Sequence, residues 1–411
     1  MSAFGAAAQT PARRGPRVFV SAGEASGDAI LGPILSGLRA RIPDLELAGL
    51  GGPAAAACGL APLFPISRTA FSGAWDVIAN LPFAWRMLRA ADRELRRFRP
   101  DLVLLIDYPG LNLRLARKAR AFGCQVHFVA PPQVWAYRAP ADRPSRKLRR
   151  ARAALAGCSL QTLFPFEAAY WEGKAASVRS GHFQDTVPSQ EPEKVLWEIP
   201  KPGFILLCPG SRLPVLRRNL PAWLRLLRKA GIPAAAPMAV LAPAWLAAEA
   251  RALVDAHAPE RAGHCTVRSD KAAAFAEAGR AIAFPGTITL ELALHRVPTL
   301  VLALIDPLTY AVGKRLLRDR RLALPNLLLD EGLFPEWAGT LPGPDADTFR
   351  GLWAALDTPW ATWDTTFARL ADRLGPGNGT AVAVEACLEL LLARSAVEVT
   401  RQATVGVTPV T

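Results

Sequence analysis

The hydrophobic pattern at the start of the chain changes from a strand period to a helix period within a few residues. A β-branched and aromatic run over 18–20 stops at Gly23, and apolar residues then recur at helical spacing from Ile30 to Leu38. A strand, a turn of small residues and a helix in this order open a βαβ unit. Ligands bind at the carboxyl ends of the strands in such units, so the turn over 23–28 is predicted to lie where chemistry takes place.

The alternation of apolar runs and amphipathic stretches continues and predicts a parallel sheet. Residues 101–107 form an apolar run between two acids, which is typical of a strand buried on both faces. We also predict strands over 45–50, 126–130 and 153–157, and a helix over 111–121. Repeated βα units of this kind fold into a doubly wound α/β sheet.

A second set of βα units follows a polar, proline-containing stretch over 189–202, which is predicted to be a linker. Two similar α/β halves joined by a linker imply two domains that face each other across a cleft. The predicted organisation is a disordered tail over 1–16, an N-terminal domain over 17–188, a C-terminal domain over 203–344, helices over 345–395 and a loose tail over 396–411.

Composition narrows the class of protein. The 411 residues are 51% hydrophobic and carry a formal net charge of +14, so the chain can bury a large core and favours an anionic partner. A coding bias toward arginine explains the same charge, and without a nucleic-acid-binding motif we predict no nucleic-acid partner. Six scattered cysteines without metal spacing favour reduced thiols, a cytoplasmic location and no metal. Prolines interrupt the uncharged stretch over 230–248, which argues against a membrane span.

The first of two candidate nucleotide turns follows the strand predicted at the start of the second half. Gly210 lets the backbone approach a ligand, Ser211 can donate a hydroxyl hydrogen bond, and Arg212 offers a fork that matches phosphate. An ordinary βα turn with a surface arginine is the alternative. The spacing favours a phosphate site.

The second turn opens a helix after another predicted strand. The backbone N–H groups of Gly286 and Thr287 at a helix N-terminus form an anion site. Glu291, near the start of that helix, can accept hydrogen bonds from both ribose hydroxyls, and its alternative role is to interact with the helix dipole. Both turns in one domain suit the diphosphate and ribose of one nucleotide.

Several residues that follow strands of the first half are candidates for chemistry. Asp107 is placed for general-base work because partial burial raises a carboxyl pKa toward neutrality, although it also suits a turn. Asn112 is predicted to cap the following helix. Trp135 and Arg138 suit a sugar-stacking wall and a phosphate contact, or else a core aromatic and a surface arginine. His182 stands alone, and a lone histidine is more often structural.

The opening turn carries two carboxylates, Glu24 and Asp28, which would repel the phosphate of a dinucleotide. Because the second half supplies a better nucleotide site, we predict that the opening turn faces the sugar or the acceptor across the cleft. Ser26 and Gly27 belong to the same face.

Large apolar side chains and arginines lie close together over 66–100. Aromatic residues beside arginines suit a helix that lies in an anionic membrane surface, and a packing helix with an exposed basic end is the alternative. The predicted membrane-surface residues are Trp75, Phe83, Trp85, Arg86 and Arg89.

An ordered set of short motifs resembles the lipid-A-disaccharide synthase family, which comprises inverting glycosyltransferases of the GT-B fold. The motifs are AGE-x-SGD at 22–28, GxGGP at 49–53, IDxPxxN at 106–112, VWAxR at 134–138, PFE at 165–167, GH at 181–182, PGSR at 209–212, GTxTLE at 286–291 and LPN at 324–326. The resemblance implies two Rossmann-like domains and no cofactor.

The resemblance also implies the substrates and places residues at them. The donor would be UDP-diacylglucosamine, with Thr289 and Asn326 beside it, and the acceptor an acylated glucosamine phosphate, with Asn112 and His182 on its side. Asp107 would be the base, with Glu24 and Asp28 as rivals. The protein would be cytoplasmic and peripheral to the anionic inner membrane, and a homodimer is left open.

Departures from the family pattern concentrate on the acceptor side. Gly110 stands where the family has a second acid, and Phe183 stands where the family usually has proline. These differences leave open a related UDP-sugar-dependent glycosyltransferase with another acceptor. A UDP-sugar epimerase of the same two-domain build and a lipid-binding protein without catalysis are the further alternatives.

Overall fold

The computed structural model describes residues 15–65, 81–132, 146–183, 203–316, 321–375 and 377–405. The predicted linker over 189–202 lies outside these residues, as do Trp75, Trp135 and Arg138. The expectations for these positions therefore stay predictions.

The first sheet has six parallel strands in the order β2-β1-β3-β4-β5-β6. Its elements are β1 (Arg17–Ala22), α1 (Ala25–Arg41), β2 (Glu46–Leu50), α2 (Pro53–Ala57), α3 (Leu81–Phe98), β3 (Leu102–Ile106), α4 (Pro109–Ala121), β4 (Gln125–Val129), α5 (Arg146–Leu155), β5 (Ser159–Thr162), α6 (Pro165–Trp171) and β6 (Ser177–Ser180). The strand order reverses between β1 and β3, and open α/β sheets bind ligands at such a switch point.

The second sheet also has six parallel strands, in the order β12-β11-β10-β7-β8-β9. Its elements are β7 (Phe204–Cys208), α7 (Leu213–Lys229), β8 (Met238–Leu241), α8 (Ala247–His257), β9 (Cys265–Arg268), α9 (Lys271–Glu277), β10 (Ala278–Ala283), α10 (Thr287–Leu294), β11 (Thr299–Leu304), α11 (Pro307–Leu316), α12 (Leu324–Leu329) and β12 (Glu336–Gly339). Here the switch point lies between β7 and β10.

The C-terminal helices divide between the two domains. α13 (Ala346–Ala354) and α14 (Trp360–Leu374) bury Phe349 and Phe367 in the core of the second domain. α15 (Gly379–Val405) returns to the first domain, where Val384 and Cys387 pack with residues of α1 and β3. The helix continues to Val405, so the part of the predicted loose tail that the structure describes is helical.

The end of the described residues of the first domain lies beside the chain segment that returns from the second domain. The backbone N–H of Gly379 donates to the carbonyl of His182 at 2.9 Å, and Nε2 of His182 lies 2.8 Å from the carbonyl oxygen of Gly375. A Cβ at Gly379 would come within 2.5 Å of the His182 carbonyl oxygen, so this position requires glycine. Gln161 of β5 donates to the carbonyls of both Gly181 and Gly379.

One predicted strand is wrong. The strand predicted over 153–157 is not formed, because α5 runs to Leu155 and the next strand begins at Ser159. Leu148, Ala151 and Leu155 are buried at helical spacing, and this period decides the element. Among the helices that the structure describes, none is long and apolar enough to cross a membrane.

Candidate functional site

The two switch points meet at an ion pair. Nη2 of Arg212 donates to Oε2 of Glu24, so the second domain contacts the first. Each residue is the extended N-cap of the helix that follows the first strand of its domain, Glu24 before α1 and Arg212 before α7. The fold therefore brings equivalent positions of the two domains together.

Asp107 lies next to this pair, at the end of β3. Its backbone N–H donates to the carbonyl of Val129 at 2.9 Å, and both Asp107 and Tyr108 have left-handed backbone conformations, with φ of 46° and 49°. The pairing of Ala22 with Ile106 places the ends of β1 and β3 side by side. Asp107 and Glu24 are thereby neighbours.

The surroundings of Asp107 favour a base that works near neutral pH. Desolvation and the negative charge of Glu24 raise the pKa of Asp107 to about 6, while the Tyr108 N–H and Arg212 act in the opposite direction. The same desolvation and the same Glu24 charge raise the pKa of Tyr108 to about 12. A carboxyl with a pKa near 6 is ionised at neutral pH and retains more affinity for a proton than an ordinary aspartate.

Asp28 has a different role from the one predicted. Its buried carboxylate accepts hydrogen bonds from the backbone N–H groups of Gly52 at 2.7 Å, Ala54 at 2.9 Å and Ala55 at 3.1 Å. These contacts fix the start of α2 and correct the prediction that Asp28 is a rival base. In the same turn Ser26 is exposed, whereas Gly27 packs against Ala22.

Asn112 also supports the site rather than lining it. It is buried, and its amide donates to the carbonyls of Ile106 at 3.0 Å and Asp107 at 2.7 Å, while its carbonyl accepts from Oγ of Ser21 at 2.7 Å. The N-cap of α4 is Tyr108, so the predicted capping role is wrong. These contacts likewise correct its placement on the acceptor side.

The two candidate nucleotide turns lie beside each other. β7 pairs with β10, and the N–H of Phe284 donates to the carbonyl of Cys208 at 2.9 Å. Gly286 and Thr287 are exposed at the N-terminus of α10, and Ser211 is exposed in the neighbouring turn. The structure thus brings an exposed helix N-terminus close to the turn that carries Arg212, an arrangement that suits a diphosphate.

Glu291 has a partner that sequence reasoning missed. Its two carboxylate oxygens lie 2.9 and 3.2 Å from Nζ of Lys271, and the Glu291 side chain is largely buried. Lys271 begins α9, where a cation is unfavourable for the helix dipole. A lysine at this unfavourable position is the sequence feature that could have identified Lys271 as the partner of a carboxylate.

Thr289 and Asn326 lie behind the nucleotide turns. Both are buried. Thr289 donates to the carbonyl of Gly286 at 2.8 Å and accepts from the N–H of Leu324. The Asn326 amide donates to the Phe334 carbonyl and to Glu336, and its carbonyl accepts from the Phe334 N–H. Both side chains hydrogen-bond to neighbouring backbone segments, and their location beside the donor stays a prediction.

His182 lies beside the returning chain segment described above, where its ring is buried against the Gly375 carbonyl. This contact gives His182 a structural role, and its place on the acceptor side stays a prediction. In the described part of the chain no group of three or more His, Cys, Asp or Glu side chains could hold a metal ion.

The described part of the predicted membrane surface lies on α3. One face of the helix buries Met87, Ala91 and Leu95 in the core. Trp85 is 55% exposed. The guanidinium of Arg89 lies 4.8 Å from the centroid of the Trp85 ring, and Arg86 lies over Phe83 in the same way at 5.8 Å.

Comparison with known proteins gives both a family and a fold. A family model described as Lipid-A-disaccharide synthetase matches residues 18–345. The lipid-A-disaccharide synthase of Azotobacter vinelandii is 34% identical over 342 residues, which cover 80% of this chain and 87% of that protein.

Two solved structures share the architecture. One is a UDP-N-acetylglucosamine 2-epimerase described as putative, from Listeria monocytogenes, with a TM-score of 0.57 at 12% identity over 89% of this chain and 94% of that one. The other is the spinosyn rhamnosyltransferase SpnG, with a TM-score of 0.55 at 13% identity over 89% of this chain and 98% of that one. At such low identity the two similarities support the fold alone. Together with the two parallel sheets, they confirm the predicted GT-B architecture.

Proposed function

Because this chain belongs to the lipid-A-disaccharide synthase family, we propose that it transfers 2,3-diacylglucosamine from UDP to 2,3-diacylglucosamine 1-phosphate. The family makes the protein a hexosyltransferase of lipid A biosynthesis. The observation that carries the proposed chemistry is the meeting of Glu24, Asp107 and Arg212 where the two switch points face each other.

The donor would bind in the second domain. The exposed N-terminus of α10 at Gly286 and Thr287 binds the diphosphate, and Arg212 neutralises the charge that grows on UDP as it leaves. Glu291 accepts hydrogen bonds from the ribose hydroxyls, and Lys271 orients the Glu291 carboxylate for that task.

The transfer would be a single inverting displacement. Asp107 removes the proton from the attacking acceptor hydroxyl, a new bond forms between that oxygen and the anomeric carbon, and the bond from that carbon to UDP breaks with its electron pair leaving on the diphosphate. Asp107 is preferred to Glu24 as the base because Glu24 is paired with Arg212, and its raised pKa suits proton transfer.

The lipid chains of both substrates require access to a membrane. We propose that the exposed Trp85 enters the interfacial region and that Arg86 and Arg89 meet anionic head groups, so that the protein is peripheral to the inner membrane. Because the opposite face of α3 is buried in the core, this contact would fix the orientation of the first domain relative to the membrane.

One assay tests the proposed function. The purified protein is incubated with UDP-diacylglucosamine, with and without diacylglucosamine 1-phosphate, and the products are identified by mass spectrometry. The expected product is the β-1,6-linked tetraacyl disaccharide phosphate, formed only with the acceptor and lost in Asp107→Asn. An epimerised UDP-sugar without acceptor would identify an epimerase, and consumption of donor with another acceptor alone would identify a different glycosyltransferase.

A further inference from the structure

The Arg212 guanidinium has two anionic groups that compete for it. Its guanidinium donates to the carboxylate of Glu24, and under the proposed function the same guanidinium neutralises the donor diphosphate. Both side chains of the pair remain partly accessible, with 33% of Arg212 and 27% of Glu24 exposed. An incoming phosphate can therefore reach Arg212 and compete for it.

We propose that Glu24 is a positioning residue whose carboxylate pairs with Arg212 in the free protein and is displaced from it by the donor diphosphate. Donor binding then leaves the Glu24 carboxylate unpaired beside Asp107. The inference rests on the proposed function, because it assigns the diphosphate as the competitor. Glu24 would thus link the nucleotide turn of one domain to the base of the other without touching the reacting atoms.

The charges around Asp107 give this exchange a consequence. Glu24 and Arg212 act on the Asp107 carboxyl in opposite directions, the former favouring its protonated form and the latter its ionised form. When the Arg212 guanidinium binds the diphosphate, it no longer neutralises the negative charge of Glu24 beside Asp107. Asp107 then binds a proton more strongly, so the base gains strength at the step that places the donor.

The binding test is a double-mutant cycle on UDP affinity, measured by calorimetry with Glu24→Gln, Arg212→Ala and the double variant. Glu24 makes no side-chain capping hydrogen bond to α1, so Glu24→Gln removes none. Because a partly exposed ion pair is a weak competitor, we expect Glu24→Gln to tighten UDP binding by roughly fivefold. With Arg212 already replaced, the same change should alter affinity by less than about twofold.

Two controls separate competition for Arg212 from other effects of the substitution. Uridine lacks the diphosphate, so its affinity should not change in Glu24→Gln. Glu249→Gln removes a carboxylate from a surface pair with Arg217 and should leave UDP affinity unchanged. Tightening of the same size in Glu249→Gln, in uridine binding or in the Arg212→Ala background would overturn the proposal, as would unchanged UDP affinity in Glu24→Gln.

The kinetic test is a split between KM and kcat. If Glu24 positions Arg212 and raises the proton affinity of Asp107, Glu24→Gln lowers both the donor KM and kcat. Damage to the fold would instead raise KM. Glu24→Asp keeps the charge beside Asp107 and should retain more kcat than Glu24→Gln; equal loss in both variants would contradict the charge argument. The UDP cycle needs no acceptor, so it succeeds or fails independently of disaccharide formation.

Discussion

The α-carbon of Gly23 lies under the ring of Tyr108, so closely that a methyl group there would come within 2.5 Å of the ring. The turn after β1 and the turn after β3 are therefore packed as one unit. Tyr108 directly follows Asp107, the proposed base, and both residues have left-handed backbone conformations. This packing requires glycine at position 23, because any side chain there would meet the Tyr108 ring.

The first prediction follows from this contact. Gly23→Ala displaces Tyr108 and misplaces Asp107, and a misplaced catalytic group lowers kcat on the order of 10²-fold. The matched control is Gly110→Ala in the neighbouring helix, where a Cβ would meet nothing within 4 Å. Gly110→Ala should retain activity and stabilise α4 by up to about 1 kcal/mol. Disaccharide formation and thermal unfolding measure the two effects, and equal kcat in both variants would show that the contact is unimportant.

The second prediction concerns Asp107 as the proposed base. Asp107→Asn should lower kcat by about 10²–10⁴-fold while UDP affinity changes little, because the proposed diphosphate and ribose contacts lie in the other domain. Steady-state kinetics and calorimetry on the same preparation distinguish the two steps. Retention of most activity would exclude Asp107 as the proton acceptor and return attention to Glu24.

The third prediction is the pH dependence that Asp107 imposes. If Asp107 is the base, it must be ionised, and its pKa is raised to about 6, so kcat/KM should fall about tenfold per unit as the pH decreases below 6. Glu24→Gln removes one cause of the raised pKa, and the acid limb should move to lower pH. An acid limb in the same place in both proteins would mean that another group controls the profile.

The fourth prediction separates Asp28 from Asp107. Asp28→Ala leaves three backbone N–H groups without their acceptor and should destabilise the protein by about 2–4 kcal/mol, measured by urea unfolding. Asp107→Asn serves as the control, because it removes a carboxylate whose charge is disfavoured by desolvation and so costs no stability near neutral pH. Equal stability of the two variants would contradict this division of roles.

The fifth prediction tests the proposed membrane surface. Trp85→Ser should weaken sedimentation with vesicles that contain anionic phospholipid, and changing Arg86 and Arg89 to Gln together should reduce the dependence on anionic lipid. Trp245, which is 59% exposed in the second domain, provides the control variant Trp245→Ser. If both tryptophan variants sediment alike, α3 is not the contact surface.

The sequence pattern was sufficient for the architecture and for the proximity of the two candidate nucleotide turns. Strand periods predicted both parallel sheets, and the carboxyl ends of adjacent strands had to bring the turns of Arg212 and Gly286 together. The one wrong strand, over 153–157, came from a short alanine-rich segment in which helix and strand periods are hard to distinguish. The stretch contained too few large side chains to separate them.

The roles of individual polar residues were harder to predict. Asp28 and Asn112 follow strand ends and Asn326 lies in α12. At each position a polar side chain can face either a ligand or the backbone of a remote segment. Asn112 binds Ser21, which is 91 positions away, and no local pattern reveals such a partner. The contact between Glu24 and Arg212 was missed for the same reason, since it depends on how the two domains face each other.

The return of α15 has a consequence for how the protein is made. Val384 and Cys387 complete the core of the first domain, although they follow the whole second domain in the chain. A ribosome that has synthesised the first sheet has not yet produced the helix that covers it. The first domain therefore reaches its final packing only after translation has passed the second, and a fragment that ends before Gly379 lacks part of its own hydrophobic core.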